Sequence, residues 1–301
     1  MPVALSHQGA FGFALQSTKG SFVQPDTWLP LIEQGRGEAD TLQFQHNYVP
    51  LDFADVNAYQ SKYFSAGQWA EGRLRFPLIP GAVANLFSWI QDRDSYNQGQ
   101  WASAVIDCVQ EIKKLTDLKV ARATFDLIKS EPVICTLDVA GLKMESGTAP
   151  TPNMPTAAPY IFQEATVELA TGGGALAEDI NCEKMRIVVD TALEDIDEGL
   201  RLAATAEPVQ LYNLAGVRCW GAFSRDFVDN AVYADFASGT EAALTLTLQR
   251  GAATAELQLP RILYTADDLG LPGSHRQRIV EKVDFLALGS TDGVTPPIIL
   301  A

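Results

Sequence analysis

The fold of this chain is most visible in Val217–Ile262, which reads VRCWGAFSRDFVDNAVYADFASGTEAALTLTLQRGAATAELQLPRI. In its last part Leu244, Leu246 and Leu248 alternate with polar residues, and a second alternating run follows Gly251. Alternation with a period of two is typical of strands that bury one face of a sheet. We therefore expect an antiparallel hairpin with a leucine-rich inner face.

A helix is expected just before this hairpin. Over 225–237 apolar residues recur at helical spacing, Ser224 is placed to cap the first turn, and Asp226 and Asp229 would lie where the helix dipole favours anions. Pro260 is expected to end the second strand of the hairpin, because proline has no N–H to donate to the ladder. The whole unit is thus a strand, a helix and a hairpin.

Residues 73–142 repeat this plan with almost no identical residues: a strand, a helix expected over 81–92, and further strands. Between the two units lies Glu145–Pro159, which contains four prolines and has no hydrophobic period. We therefore predict a mainly β protein with two tandem β-sandwich or barrel domains, each with one flanking α-helix and long loops. The predicted boundaries are 1–144 for the first domain, 145–159 for the linker and 160–301 for the second domain.

The composition is strongly acidic. The 301 residues include 37 Asp and Glu against 22 Lys and Arg, a net charge of -15, and most of the excess lies in residues 160–301. This balance argues against a surface that grips nucleic acid. No apolar run reaches the length of a membrane span and the N-terminus lacks the features of a secretory signal, so we expect a soluble protein made in a cytoplasm. The four cysteines, whose spacing matches no zinc or redox motif, are expected to be reduced core residues.

Catalytic motifs are absent from the sequence. The three histidines are isolated, and the chain contains no nucleophile elbow, phosphate loop or dinucleotide fingerprint. Asp195 and Asp197 resemble the start of a calcium loop, but the later ligands and the required glycine are missing, which favours a solvated acidic turn. We therefore expect no catalytic, cofactor-binding or metal-binding residues, and a protein that is not an enzyme.

An aromatic stretch between residues 48 and 69 follows no steady period. Irregular segments of this length inside a compact domain usually have a function or local structure of their own. Tyr and Trp are enriched at protein interfaces, so we expect this segment to dock against another subunit, the alternative being a loop folded back on its own domain. The candidate interface residues are Tyr48, Phe53, Tyr59, Tyr63, Phe64 and Trp69.

The C-terminal segment Thr295–Ala301 (TPPIILA) carries an apolar triplet after two prolines. The prolines disfavour a helix or a central strand, and an exposed apolar triplet gains nothing from solvent. We expect the segment to leave its own domain and lie against a neighbouring subunit, the alternative being a disordered end. The candidate contacts are Ile298, Ile299 and Leu300.

Three segments resemble a known family. They are Gly12–Gly20 (GFALQSTKG) followed by Trp28, Leu118–Leu127 (LKVARATFDL), and Asn213–Leu248 with its strand, helix and strand. Together they resemble the major tail tube proteins of long-tailed, siphovirus-like bacteriophages, in particular those with two tandem domains. The resemblance covers nearly the whole chain through patterns of apolar and small residues.

The resemblance implies a structural virion protein. In that family the inner sheets of neighbouring domains join into a barrel around a channel, rings stack into a tail tube, and three tandem chains form a ring with pseudo-sixfold symmetry. It further implies a lumen that holds the tape measure protein and passes DNA, other tail proteins at the tube ends, and assembly in the host cytoplasm of a flexible, sheathless tail. The aromatic stretch would then join stacked rings, and an acidic lumen would repel phosphates.

Two other classes remain open at this point. One is a non-catalytic β-sandwich that binds carbohydrate, which would display aromatic side chains on an exposed strand face. The other is a hydrolase whose carboxylates meet from distant strands. Imaging of rings or tubes would separate both from the tail tube hypothesis.

Overall fold

The computed structural model describes residues 10–32, 42–50, 63–107, 111–148, 150–200, 207–270, 278–291 and 293–301. Within these ranges the chain is mainly β, with two short helices, α1 (Val83–Gln91) and α2 (Ala231–Ser238). The strands of the first half are β1 (Ala10–Leu15), β2 (Thr27–Leu29), β3 (Leu42–Pro50), β4 (Tyr63–Pro77), β5 (Ala102–Asp107), β6 (Ile112–Ile128) and β7 (Ile134–Ser146). The strands of the second half are β8 (Ala165–Ala170), β9 (Ala177–Glu178), β10 (Cys182–Asp190), β11 (Arg218–Asp226), β12 (Ala242–Arg250), β13 (Ala253–Gly270), β14 (Val280–Ala287) and β15 (Ile299–Leu300).

Every strand pair among the described residues is antiparallel, and the two halves have the same strand order. Neighbours run β2-β1-β5-β6-β7-β4-β3 in the first half and β9-β8-β12-β13-β14-β11-β10 in the second. The halves are joined into one sheet where β6 pairs with β10. The prediction of a mainly β, sandwich- or barrel-type fold is confirmed, whereas the predicted domain boundaries stay a prediction.

The bulges of the two halves also correspond. Thr116–Asp117 bulges in β6 opposite β5, and Pro260–Arg261 bulges in β13 opposite β12. A second bulge follows at Ala121 in β6, opposite β7, and at Thr265 in β13, opposite β14. Because a bulge shifts the register of its strand, two matched bulges align β6 with β13 residue by residue.

Matched rows across the sheets extend this alignment to the other strands. In the first half one row runs Leu42, Gly72, Val139 and Val120 across β3, β4, β7 and β6. In the second half the matching row runs Ile187, Gly221, Phe285 and Tyr264 across β10, β11, β14 and β13. Each residue of the first half in these strands therefore has a defined counterpart in the second.

The hairpin of Val217–Ile262 forms as expected. Leu246 pairs with Leu257 across β12 and β13, both are fully buried, and the intervening polar residues face outward. Gly251, whose φ is 61°, supplies the left-handed conformation that the two-residue turn requires. Helix α1 buries Val83, Leu86, Phe87 and Ile90 against the same core, as its spacing predicts.

Two boundaries differ from the expectation. Helix α2 begins at Ala231 rather than at 225, because Ser224 and Asp226 continue β11 between β10 and β14. Asp229 supports the helix start from outside, since its carboxylate accepts the N–H of Ala231 at 3.0 Å. Pro260 does not end its strand: it lies in the first bulge of β13, where no ladder hydrogen bond is lost, and β13 continues to Gly270.

Gly12 and the described cysteines lie in tightly packed parts of the fold. Gly12 pairs with Trp28, and a Cβ at Gly12 would lie 2.7 Å from the Trp28 ring, so only glycine fits beneath this indole. Cys135, Cys182 and Cys219 are free and buried, which confirms their predicted core role, and burial raises the pKa of the Cys182 and Cys219 thiols to about 12. The fourth cysteine, Cys108, lies outside the described residues.

Candidate assembly interface

The junction between the halves is a regular β-ladder. Strand β6 pairs with β10 from Arg122 opposite Asp190 to Ile128 opposite Lys184, without a break in register. Phe125 and Ile187 pair at its centre and are 2% and 0% exposed. One hydrophobic cluster continues from the first half into the second across this ladder. The chain thus contains one complete interface between two like units, which we call the internal seam (β6 with β10).

Ion pairs border the internal seam on its outer face. Arg186 Nε lies 2.6 Å from Asp126 Oδ1, and Lys129 Nζ lies 2.9 Å from Glu183 Oε1. Arg122 Nη2 lies 3.3 Å from Asp190 Oδ2. The basic partners are about half exposed, so these pairs contribute little to stability and mainly favour one register.

The connection that follows β10 also packs on the first half. This strap, residues 191–200 and 207–214, contains Leu193, which packs against a cluster with Leu142 and Trp101 of the first half. The Thr191 hydroxyl donates to the carbonyl of Val120 at 2.6 Å. The two halves are therefore joined by main-chain pairing of β6 with β10 and by side-chain packing of the strap.

A buried lysine fixes the strap. Lys119 of β6 is 2% exposed, and its Nζ donates to the Leu211 carbonyl at 2.8 Å and to Asn213 Oδ1 at 3.0 Å. The ammonium also lies 4.5 Å from the centre of the Trp101 ring. Burial, with the nearby Arg93 charge, lowers the pKa of Lys119 to about 8. Its counterpart in β13 is Leu263, which has no such role.

Two strand edges lack the partner that their counterparts have. β10 pairs on one side with β11 and on the other with β6, whereas β3, its counterpart, pairs only with β4 among the described residues. Likewise the part of β13 from Ala266 to Leu269 pairs only with β14, although the matching part of β6 pairs with both β7 and β10. Both edges are therefore unpaired among the described residues; we call them together the open seam.

Aligning the open edges on the internal seam gives a register. Ile187 pairs with Phe125 in the internal seam, and their counterparts are Leu42 and Leu269. The same transfer gives a short list of pairs: Gln43 with Asp268, Phe44 with Asp267, and Gln45 with Ala266. These strands are not paired with each other within one chain's described sheet.

The aromatic stretch is partly strand rather than irregular loop. Tyr48 lies in β3, and Tyr63, Phe64 and Trp69 lie in β4, because both strands of this hairpin extend beyond the sheet core. The alternation of Leu42 and Phe44 predicts a strand in the TLQFQHN segment, and the signal that sequence reasoning missed is that this alternation continues through His46 to Tyr48. Phe53 and Tyr59 lie outside the described residues, and so do the positions of the Tyr63 and Phe64 side chains.

Phe44, His46 and Tyr48 form an aromatic ladder on one face of β3. Their ring centroids are 5.9 Å apart from Phe44 to His46 and 3.8 Å apart from His46 to Tyr48. Phe44 is 39% and Tyr48 51% exposed, whereas Val189, the counterpart of Phe44, is fully buried at the internal seam. Trp69 differs, since it packs with Leu142 and the strap in its own chain. The assignment of these side chains to contacts between stacked rings stays a prediction.

The C-terminal segment packs on its own chain, and the expectation that it leaves its domain is wrong. Ile298 and Leu300 are 1% and 3% exposed, and β15 pairs with β13 at Leu257 and Gln258. The physical reason is that β14 is shorter than β7: β15 fills the place on β13 that the end of β7 fills on β6. The main chain of Leu300 also bonds the Gln91 side chain of α1 in both directions, at 2.6 and 2.7 Å. Ile299, the half-buried member, is the residue through which a subunit contact stays a prediction.

In the described ranges no group of three or more His, Cys, Asp or Glu side chains is arranged to hold a metal ion. Neither described helix is long and apolar enough to span a bilayer.

The comparison with protein families identifies one match. Residues 3–290 match the family described as phage tail tube protein. No curated protein matches the chain.

Proposed function

The chain belongs to the phage tail tube protein family and is a structural component of a phage tail; we propose that three copies close into a ring of six like units and that rings stack into the tube. The observation that carries this proposal is the internal seam. It shows how the second unit adds to the first, and it leaves on each chain the two edges that the same addition would use.

Closure follows from the physics of exposed edges. An uncovered strand edge presents unpaired N–H and C=O groups and tends to pair with another chain. Because the edge of β3 and the edge of β13 are different surfaces, their contact is heterologous and yields a ring when the rotation closes. Because each chain supplies two units, a ring of six units contains three chains.

The charge of the chain fits a conduit for DNA. The net charge of -15 gives the assembled wall a negative field, which repels phosphates and keeps the passing DNA from binding. We propose that the lumen holds the tape measure protein before ejection, and that other tail proteins bind the tube ends. Assembly would take place in the host cytoplasm, and the tube would belong to a siphovirus-like, sheathless tail.

Contacts between rings are proposed for the extended β3–β4 hairpin. The hairpin carries several aromatic residues, and Tyr48 is about half exposed. An exposed aromatic ladder on a strand is also what the carbohydrate-binding alternative requires. Family membership favours a protein partner for this surface over a sugar.

A disulfide across the open seam tests the ring. Gln43 and Asp268 are both exposed and lie directly opposite each other in the transferred register. Directly opposite residues of antiparallel strands have Cα atoms about 4.5–5.5 Å apart, which suits a disulfide. Oxidised Gln43→Cys/Asp268→Cys protein should run on a denaturing gel as a covalent trimer that reduction returns to monomer.

Two matched controls define the result. Val188→Cys/Thr124→Cys places the same pair in the internal seam and should give an intramolecular bond only. Gln43→Cys/Thr265→Cys is out of register and should remain reduced. Equal cross-linking of both intermolecular pairs, or no trimer from the first, would contradict the proposed ring.

A further inference from the structure

Buried polar atoms without a partner gather beside the open edge of β13. Tyr264 Oη, both carboxylate oxygens of Asp267 and Glu281 Oε1 are buried and have no hydrogen-bond partner among the N–H and hydroxyl groups of the described residues. Buried polar groups are nearly always satisfied, so a group of such atoms requires an explanation. Burial raises the pKa of Asp267, and burial outweighs the Arg225 charge in raising the pKa of Glu281.

The nearest cation is already engaged. Arg225 donates to Glu281 at 2.6 Å, to Asp179 at 3.1 Å and to Asp229 at 3.2 Å. It thereby serves three carboxylates and acts on Asp267 only through its charge, which lowers the pKa of Asp267. A hydrogen bond with the Glu281 carboxyl group also lowers the pKa of Asp267. A proton shared by the two carboxyl groups serves one Asp267 oxygen and leaves the other without a donor, on the edge that the proposed ring covers.

The internal seam indicates which residue of a second copy arrives there. Thr191 follows β10, bonds the carbonyls of Val120 and Ala121, and is 1% exposed. In β3 the counterpart of Thr191 is His46. In β13 the counterparts of Val120 and Ala121 are Tyr264 and Thr265. In the transferred register His46 is therefore opposite Thr265 and diagonal to Asp267, a separation that aromatic side chains can span.

We propose that His46 of the next chain is the hydrogen-bond donor for the Asp267 oxygen that Glu281 does not serve, so that the aromatic ladder of β3 docks on the Tyr264–Asp267 face of β13. In the single chain the His46 ring is stacked on Tyr48 and its Nε2 lies 2.8 Å from Ser65 Oγ. The ring's other nitrogen is the one available to the next chain. This contact rests on the proposed ring and makes the open seam specific for a second copy.

The test compares assembly with the stability of the unassembled chain. His46→Phe keeps the ring stack and removes the donor, and Asp267→Asn removes the carboxylate charge. Each should raise the protein concentration at which half of the chains assemble by about tenfold, and the double variant should raise it no further. Asp267→Asn should also raise the melting temperature of the unassembled chain, because it removes a charge next to Glu281. A merely structural role would lower stability and assembly together.

Asp284→Asn is the matched control, since it removes the same charge from the outward face of β14 and should leave assembly unchanged. Independent, additive losses from the two single variants would overturn the contact. Unchanged assembly of both variants, with the Gln43→Cys/Asp268→Cys trimer still forming, would overturn the contact and leave the ring intact. Failure of that trimer would overturn the ring and this contact with it.

Discussion

The two halves of the chain share strand order, two bulges and one helix, yet they differ in the chemistry of three matched core positions. The first half has Phe76, Cys135 and Ala123, all three of which are fully buried. The second half has Arg225, Glu281 and Asp267 in the corresponding places. An apolar trio thus faces the closed seam, whereas an ionic trio faces the open one.

This difference teaches that backbone topology and core chemistry are constrained separately. Pairing and bulges follow from the backbone and are the same in both units. The side chains near a strand edge are constrained by what covers that edge. The edge of β6 is covered by the same chain, whereas the edge of β13 is covered, by our proposal, by another chain. Charged groups at the open edge disfavour nonspecific pairing of the single chain and favour a partner with complementary groups.

The largest expected effect is the removal of Arg225. Arg225→Ala leaves Glu281 and Asp179 buried without their cation and should lower the free energy of unfolding by about 3–5 kcal/mol at neutral pH. Replacing the trio by that of the first half, Arg225→Phe, Glu281→Cys and Asp267→Ala, should recover only part of the loss, because Glu281 and Asp267 no longer carry a charge while Asp179 still lacks its cation. Chemical denaturation measures both; a small effect of Arg225→Ala would show that the cluster is hydrated.

The next largest effect tests whether β15 stabilises its own chain in the way that the end of β7 does in the first half. Truncation after Pro297 removes Ile298 and Leu300 from the core and should cost about 1.5–3 kcal/mol for each of these side chains, as an upper range. Ile299→Ala, at the half-buried position, should cost much less. The melting temperature of the unassembled chain decides between this packing and a tail that serves only a neighbouring subunit.

A pH dependence separates Lys119 from its counterpart Leu263. Folded Lys119 loses its proton near pH 8, whereas the unfolded chain keeps that proton up to the ordinary value of 10.5, so the unfolded state binds more protons between these values. Stability should therefore rise by up to about 3 kcal/mol between pH 8 and 10.5 relative to Lys119→Met. Urea titrations at several pH values measure the difference. Parallel pH profiles for the two proteins would contradict the burial of a charged Lys119.

The smallest effect concerns the ion pairs at the internal seam. Arg122→Gln removes a pair in which the arginine side chain is 48% exposed and should change stability by less than about 1 kcal/mol, with a smaller effect at high salt. Its counterpart in the open seam is Ala266, so the ring can close without such a pair. A loss of several kcal/mol would mean that the ion pairs, and not the ladder, hold the halves together.

The sequence alone predicts the strands whose faces differ in polarity. The alternation around Leu246 and the apolar face of α1 are local patterns, and both form as expected. The bulges in β6 and β13 could not be predicted, since they depend on the length of the partner strand. The start of α2 was misplaced because Ser224 and Asp226 suit a helix cap, while pairing with two strands decides their conformation.

The candidate interface was harder to predict. The pairing of β6 with β10 joins residues that are distant in the chain, and neither strand carries a local signal for the other. The C-terminal triplet is apolar in the sequence, but its pairing with Leu257 and Gln258 of β13 depends on the folded sheet. The ladder of Phe44, His46 and Tyr48 was visible as a period of two, and was obscured by the aromatic residues that follow it.

The most direct measurement is the mass of the smallest closed ring, obtained by native mass spectrometry on rings released from tubes. We propose that each chain supplies two equivalent units joined by the internal seam, and we therefore expect three chains in the ring. Six chains per ring would show that the two halves together act as one unit and would contradict it.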